Sequence, residues 1–308
     1  MKLYWNLVLT LCILAATFAM AQEGIQEAPE AKYHTLEEIF LLAKNHPWYQ
    51  EKLAGYSHFD EVPVLEKDDL YRAILAAKTT GLYQQQKGVY WSPSGGSSSN
   101  GKFFFPTQVK ENKFMRRELS KRLQECGIIE EKDICLNMEP GHETYRALEI
   151  FNDFFEMSGN TIIPAGESCK ASNASWLAQE FGANVVCGSP AGLSAFAADV
   201  EDGKLPAKFE KLISTCEKLN PKAKDLLRRV LGIKQFISIF GQAESGVWGY
   251  RPSFLPDNYF IYDPKMIHIE IVNPDEAGVG NIILTNLIRG TGRFHVQVPY
   301  SDRYLFLR

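Results

Sequence analysis

Between residues 110 and 240 short apolar runs alternate with amphipathic stretches, and this rhythm constrains the fold more than any other feature of the chain. The runs at 133–138, 161–164, 184–187, 212–215 and 236–240 are four to six residues long. Short apolar runs of this kind suit strands buried on both faces. Between and around them, 110–126, 145–157, 174–181, 194–200 and 221–231 read as helices, and 207–211 as a helix end. Strand and helix in turn predict a mainly parallel sheet with helices packed on it. Upstream, Thr35 can cap a helix with Glu38 at capping-box spacing. A second helical piece begins at His46 and a third covers 67–79, and strands at 88–92 and 103–105 flank a Gly/Ser loop. Beyond Gly241 the texture changes: β-rich runs at 259–262, 268–272, 281–286, 292–298 and 304–307 are separated by turn signals such as Asn273-Pro-Asp-Glu-Ala-Gly and Arg289-Gly-Thr-Gly. The expected fold class is α/β, with mainly parallel sheets flanked by helices and a C-terminal β-rich subdomain, antiparallel or barrel-like.

The first residues have the form of an export signal. Met1-Lys2 supplies a positive start, 3–18 is almost uninterruptedly apolar, and Ala19-Met20-Ala21 gives the small-x-small pattern that signal peptidases read. The apolar run is short for a bilayer span, so a cleaved signal over 1–21 is expected rather than a stable membrane anchor. A polar leader over 22–34 and a domain over 35–308 follow. The expected location is the secretory pathway, outside the cell or in the periplasm, or the cytoplasm if the signal is unused. Cys12 would leave with the signal; Cys126, Cys135, Cys169, Cys187 and Cys216 remain, without any CxxC spacing, and read as buried free thiols rather than a disulfide framework. A formal charge of -4, with no Lys/Arg run interleaved with aromatics, excludes a nucleic-acid binder.

Three local features carry chemistry. The first is the loop Ser94-Gly-Gly-Ser-Ser-Ser-Asn-Gly-Lys102. Backbone N–H groups freed by glycines, several hydroxyls and one lysine make a cradle for a polyphosphate, although the composition also suits a flexible linker. Its last seven residues nearly match the P-loop pattern of nucleotide triphosphatases. Phe103, however, stands where that pattern needs a magnesium-binding hydroxyl, and Phe104-Phe105-Pro106 cannot open the helix a P-loop uses. A strand–loop–strand clamp is expected instead. The second feature is the strand 236–240, which ends in Phe240-Gly-Gln-Ala-Glu244. Strand ends of a parallel sheet are where ligands bind. Phe240 can face a base or simply be core, and Glu244 can coordinate a hard cation or sit as a helix N-terminal charge. The third is the strand from Phe294, which ends in Asp302-Arg303: Asp302 can accept from a ribose diol or belong to a surface ion pair.

Taken in order, a Gly/Ser loop, an aromatic-Gly-x-x-Glu strand end and a strand ending in Asp resemble the adenylate-forming superfamily of acyl-CoA synthetases, and within it the phenylacetate–CoA ligase-like members. His46-Pro-Trp-Tyr-Gln-Glu-Lys-Leu is similar to their opening helix, and Val62-Pro-Val-Leu-Glu-Lys-Asp-Asp-Leu to the segment before the loop. Thr161-Ile-Ile-Pro-Ala-Gly, Gly188-Ser-Pro-Ala-Gly-Leu and Ile213-Ser-Thr-Cys-Glu217 fall where the family has similar stretches. The likeness runs from about Leu36 onward and implies the large N-terminal domain of such an enzyme.

The resemblance implies ATP-dependent activation of an aryl or acyl carboxylic acid to an acyl-adenylate, then transfer to CoA or another thiol. It assigns the ATP phosphates to Ser94, Gly95, Gly96, Ser97, Ser98, Ser99, Gly101 and Lys102, and the adenine site to Glu217, Phe240 and Gly241. Glu244 would bind Mg²⁺ and Asp302 would hold the ribose hydroxyls. His142 and Tyr145 fall near the acyl pocket. The implied ligands are a small carboxylic acid, ATP or AMP, Mg²⁺ and CoA. The chain departs from the family at Thr215-Cys216, where a pair of small residues is usual, at Phe240 in place of tyrosine, and at Asn100 in the loop. The resemblance also implies that the small C-terminal domain, with its catalytic lysine, is absent, to be supplied by a separate partner or replaced by a homodimer. The rival readings are a secreted pseudoenzyme or binding protein that keeps the nucleotide and acid pocket, and an unrelated P-loop enzyme.

Overall fold

The computed structural model describes residues 33–45, 49–62, 72, 75, 88–93, 104–141, 144–215, 217–242, 245–276, 280–288 and 305–307. The expected signal over 1–21, most of the leader and the strand at 292–298 lie outside them, and of the helix expected over 67–79 only Arg72 and Leu75 are described, both helical.

An eight-stranded sheet organises the molecule. Its strands are β3 (Ile134–Asn137), β4 (Thr161–Pro164), β5 (Val185–Cys187), β6 (Lys211–Ser214), β7 (Gln235–Gln242), β8 (Gly246–Arg251), β9 (Tyr259–Tyr262) and β12 (Leu305–Leu307), in the spatial order β12-β9-β8-β7-β6-β5-β3-β4. From β4 to β7 every neighbour is parallel. The direction reverses at β8, and β12 returns parallel to β9. Helices α3 (Val109–Glu125), α4 (Ala147–Met157), α5 (Ala171–Glu180), α6 (Pro190–Asp202) and α7 (Pro221–Leu231) supply the cover.

Alternation along each strand decides which helix covers which face. Leu136, Val186, Leu212 and Phe236 point to one side and pack with Ala174, Ala178, Leu193, Phe196, Ala197, Val200, Leu227 and Leu231 from α5, α6 and α7. Cys135, Val185, Cys187, Ile213 and Ile237 point to the other side, against Leu119 and Leu123 of α3 and the triplet Phe151, Phe154 and Phe155 of α4. Both faces are therefore buried, which is why these strands read as continuous apolar runs. Local signals set the ends. Asn220 caps α7 through Ala223 N–H with Pro221 in the first turn, and Gly232 closes it at φ 75°.

Before the main sheet come α1 (Leu36–Lys44), whose Thr35/Glu38 capping box is present, and the short α2 (Gln50–Leu53). The antiparallel pair β1 (Val89–Pro93) and β2 (Phe104–Gln108) follows. The β-rich region beyond Gly241 is antiparallel: β8 and β9 extend the sheet, and β10 (Ile267–Val272) pairs with β11 (Asn281–Asn286) as a hairpin. The hairpin packs through Ile267, Ile282 and Leu284 on Phe240, Trp248 and Phe260. Tyr33 bridges Ile288, and the His34 N–H donates to the Leu287 carbonyl at 2.7 Å.

Two elements differ from expectation. Residues 207–211 are not a helix end. The Phe209 N–H donates to the Leu231 carbonyl and the Glu210 N–H to that of Asn184, so this stretch is extended and Lys211 opens β6. Strand β8 was not anticipated, because Gly246 and Gly249 dilute its pattern. Yet Gly246 sits at φ 77°, and a Cβ at Gly249 would lie 3.2 Å from that of Phe240. The thiols of Cys126, Cys135, Cys169 and Cys187 are free as expected; Cys135 and Cys187 are buried, while Cys126 is exposed.

Candidate functional site

The parallel strands all end on one edge of the sheet, and the turns that leave them build the site. After β6, the Thr215 hydroxyl donates to the Ile239 carbonyl of β7 at 3.1 Å, tying the two strand ends together. The Glu217 N–H donates to the Thr215 carbonyl at 2.9 Å, making a tight turn that leaves Glu217 exposed. After β7 the register shifts between Phe240 and Gly241. A Cβ at Gly241 would come within 2.7 Å of the Gly246 carbonyl and of Val247, so only glycine fits the bulge.

These turns enclose a cavity of about 40 Å³ lined by Ser214, Thr215, Glu217, Phe240, Gly241 and Phe260. Three of the residues expected around a base, Glu217, Phe240 and Gly241, are thus brought together on one cavity. Phe240 is held by Trp248 and Phe260, ring centroids 4.9 and 5.0 Å away, and is 8% exposed, so its ring is fixed in place beside the cavity. The same cavity is lined by Lys224, Arg251 and Asp257, which the sequence did not single out. Arg251 donates to the Ser238 hydroxyl at 3.2 Å and lies 3.3 Å from Asp257, to which Lys224 makes two contacts of 2.6 Å. Burial works against the Asp257 charge, but the Lys224 hydrogen bonds and the charges of Lys224, Arg251 and Lys218 outweigh it and hold its carboxyl below the usual range. Burial in turn lowers the pKa of the Arg251 guanidinium. No spacing motif joins Lys224, Arg251 and Asp257, so only the fold brings them together.

The Gly/Ser loop from Ser94 through Lys102 lies outside the described residues, as do Cys216, Glu244 and Asp302. Its two flanks are described. Pro93 is opposite Phe104 across an antiparallel ladder, so the chain enters and leaves the loop through paired strands. A P-loop leads from a strand into a helix, and this one does not. Beside the flanks, Arg116 donates to Asp153 at 2.6 Å and to the Tyr90 hydroxyl at 3.2 Å, and the Arg146 guanidinium lies 4.1 Å above the Tyr90 ring. Among the described residues no cluster of three or more His, Cys, Asp or Glu is placed to hold a metal ion. No helix among them is long and apolar enough to cross a membrane.

Farther along the same edge, Glu139 follows β3. Its side chain is 0% exposed and neither carboxylate oxygen has a hydrogen-bond partner. Burial, and then the charge of Glu167 after β4, push its pKa up to about 8. Glu167 is exposed and meets the Ser189 hydroxyl at 3.5 Å, while Tyr145 is 37% exposed and His142 is outside the described residues. The one sequence signal for Glu139 is an acid closing the apolar run Ile134-Cys-Leu-Asn-Met.

Comparison with solved structures bears on the fold. An open conformation of 2-hydroxyisobutyryl-CoA ligase, in complex with 2-HIB-AMP and CoA, superposes with a TM-score of 0.69 at 16% identity, covering 86% of this chain and 62% of that one. The fold is that of the adenylate-forming ligases. The same enzyme in its thioesterification state gives a TM-score of 0.68 at 16% identity, covering 86% of this chain and 60% of that one. A curated relative, the indoleacetate–lysine synthetase of Pseudomonas savastanoi, is 24% identical over 226 residues, 67% of this chain and 54% of its own length. The chain therefore spans about half of the curated relative it matches. No family model matches the chain.

Proposed function

We propose that this chain is the large domain of an enzyme that activates a carboxylic acid with ATP. The observation that carries the reading is the gathering of Glu217, Phe240 and Gly241 on one cavity at the carboxyl ends of β6 and β7, in a fold shared with an acid–CoA ligase. In the reaction, a carboxylate oxygen attacks the α-phosphorus of ATP, the bond to the β-phosphate oxygen breaks, and pyrophosphate leaves from an acyl-adenylate. The chain has little covalent work to do; it positions two anions and offsets their charge. Phe240 and Gly241 border the base and Glu217 its rim. The loop from Ser94 to Lys102 holds the phosphates, Asp302 the ribose and Glu244 a magnesium ion, and CoA takes the acyl group onward. Of the phenylacetate–CoA ligase-like character, the support is the ordered set of motifs.

The test is carboxylate-dependent exchange of labelled pyrophosphate into ATP across a panel of aryl and alkyl acids, run beside calorimetry with ATP and AMP. Exchange that requires an acid is the expected result. Binding of nucleotide without exchange with any acid identifies a binding protein instead, and absence of nucleotide binding overturns the reading. Glu244→Gln should weaken Mg²⁺-dependent binding of ATP more than binding of AMP; equal losses remove the metal role of Glu244.

A further inference from the structure

Two sulfur atoms meet inside the sheet. Strands β3 and β5 are parallel neighbours, with Cys135 opposite Val185 and Asn137 opposite Cys187. Cys135 and Cys187 are therefore two residues out of step on adjoining strands, and alternation puts both on the face that α3 and α4 cover. Their Sγ atoms stand 3.2 Å apart, although 52 positions separate the residues in sequence. Cys126 and Cys169 face other groups: the first meets the Tyr250 hydroxyl at 3.1 Å, the second the Asn173 amide at 3.4 Å.

Filling space does not require this pair. A buried free cysteine packs as a small apolar residue, and the same face of the sheet is otherwise built from Val185, Ile213 and Ile237. What two thiols in contact add is the capacity for a covalent bond. A disulfide holds its sulfurs about 2.05 Å apart, so closing this one asks each sulfur to move by about half an ångström. The reaction needs an oxidant, and a low-molecular-weight disulfide such as oxidised glutathione is sufficient. One cysteine, as its thiolate, attacks a sulfur of the oxidant; a mixed disulfide forms and one glutathione thiolate leaves. The second cysteine, deprotonated in turn, attacks the protein sulfur of that mixed disulfide and expels the other glutathione. Two protein thiols are oxidised, one external disulfide is reduced, and two protons pass to the departing thiolates.

The folded chain opposes both steps. Cys135 and Cys187 are 0% exposed and share their core cluster with Phe151, Phe154 and Phe155 of α4. Burial, and then the contact with Cys135, push the pKa of the Cys187 thiol well above its ordinary value, so the attacking thiolate is scarce. Exchange is therefore open only while β3 and β5 have met and the helices have not yet closed over them. The same barrier protects the bond, once made, from reduction.

We propose that Cys135 and Cys187 are a disulfide site whose state is set while the chain folds and is then locked, closed after folding with a low-molecular-weight disulfide and open after folding among reductants. The pair thus distinguishes a chain folded in an oxidising, exported compartment from one folded in a reducing cytoplasm. The proposal is independent of the carboxylate-activation reading.

The test is to refold the whole chain from denaturant along two routes, one with mixed reduced and oxidised glutathione and one with excess reductant. Free thiols are then alkylated in denaturant and the peptides weighed. The first route should join the peptides of Cys135 and Cys187 in most molecules, with the loss of two hydrogen masses. The second should leave both cysteines alkylated. The folded, reduced protein is next held with oxidised glutathione. Exposed Cys126 should form a mixed disulfide about 100-fold or more faster than either Cys135 or Cys187 reacts. Protein produced in an oxidising and in a reducing compartment of an expression host gives the same comparison without refolding. Thiols at 135 and 187 that stay free under oxidising conditions, or that pair with other cysteines instead, overturn the proposal. So does closure in the folded protein as fast as the reaction of Cys126.

Discussion

A methyl group at position 241 has nowhere to go, because two of its nearest neighbours are main-chain atoms of the adjoining strand, at 2.7 and 2.8 Å. Gly241→Ala should cost about 1–3 kcal/mol by overpacking, seen as a lower urea midpoint with an unchanged slope. Glu139 makes a prediction in pH. Its carboxyl holds its proton up to about pH 8, whereas in the unfolded chain it loses it near the ordinary value of 4.5. The native state therefore binds more protons between those values, and stability falls as pH rises through that window. Glu139→Gln removes this contribution. Its stability should match that of the parent near pH 4 and exceed it above pH 8 by on the order of 3–5 kcal/mol, measured by denaturant unfolding across pH. A variant that gains nothing at high pH contradicts the burial of an uncompensated acid. At this scale the sequence was partly legible. Phe240-Gly241 could be placed at a strand end from pattern alone, but an unpaired Glu139 could not, because pairing is a property of neighbours brought in by the fold.

Strand β6 begins on a buried lysine. Lys211 donates to Asp133, to Glu130 at 2.8 Å and to the Ile128 carbonyl at 3.3 Å, with a side chain 2% exposed. Lys211→Met strands the buried Asp133 charge and should cost about 3–5 kcal/mol. Adding Asp133→Asn, which removes the orphaned charge, should recover part of that loss in a double-mutant cycle. A lysine within five residues of apolar and acidic character reads as surface, so the sequence suggested a helix end where the chain makes a strand. Elements whose own residues carry their signals were legible: α7, with cap, proline and terminal glycine, and β4 and β11, flanked by turns, have the bounds expected of them. β8 was not, because its two glycines are there for the neighbours they face, Met115 and Phe240, and which neighbours those are is decided by the fold.

At the scale of the molecule, the alternation of strands and helices was enough to give the parallel sheet, since burial of both faces imprints itself on every strand. The spatial order, with β4 outside β3 and the reversal at β8, depends on pairings that leave no local trace. A nucleotide that binds the native state alone should raise the melting temperature: at about 100 times Kd it adds about 2.7 kcal/mol, or about 5 °C for a chain of this size. Glu217→Ala should shrink that shift in thermal scans with Mg·ATP without moving the melting point of the free protein, and an unaltered shift takes Glu217 off the rim of the base site. The bridge between Tyr33 and Ile288 acts on another axis, that of time. A chain emerging from the ribosome has made seven of the eight strands of the central sheet, all but β12, before residue 288 exists, so the earliest described residue is among the last to find its partner. The backbone of Tyr33 and His34 waits for 287–288 until late in synthesis, within reach of chaperones and proteases, and a ribosome stalled before β11 holds the parallel strands β3 to β7 with this seam still open.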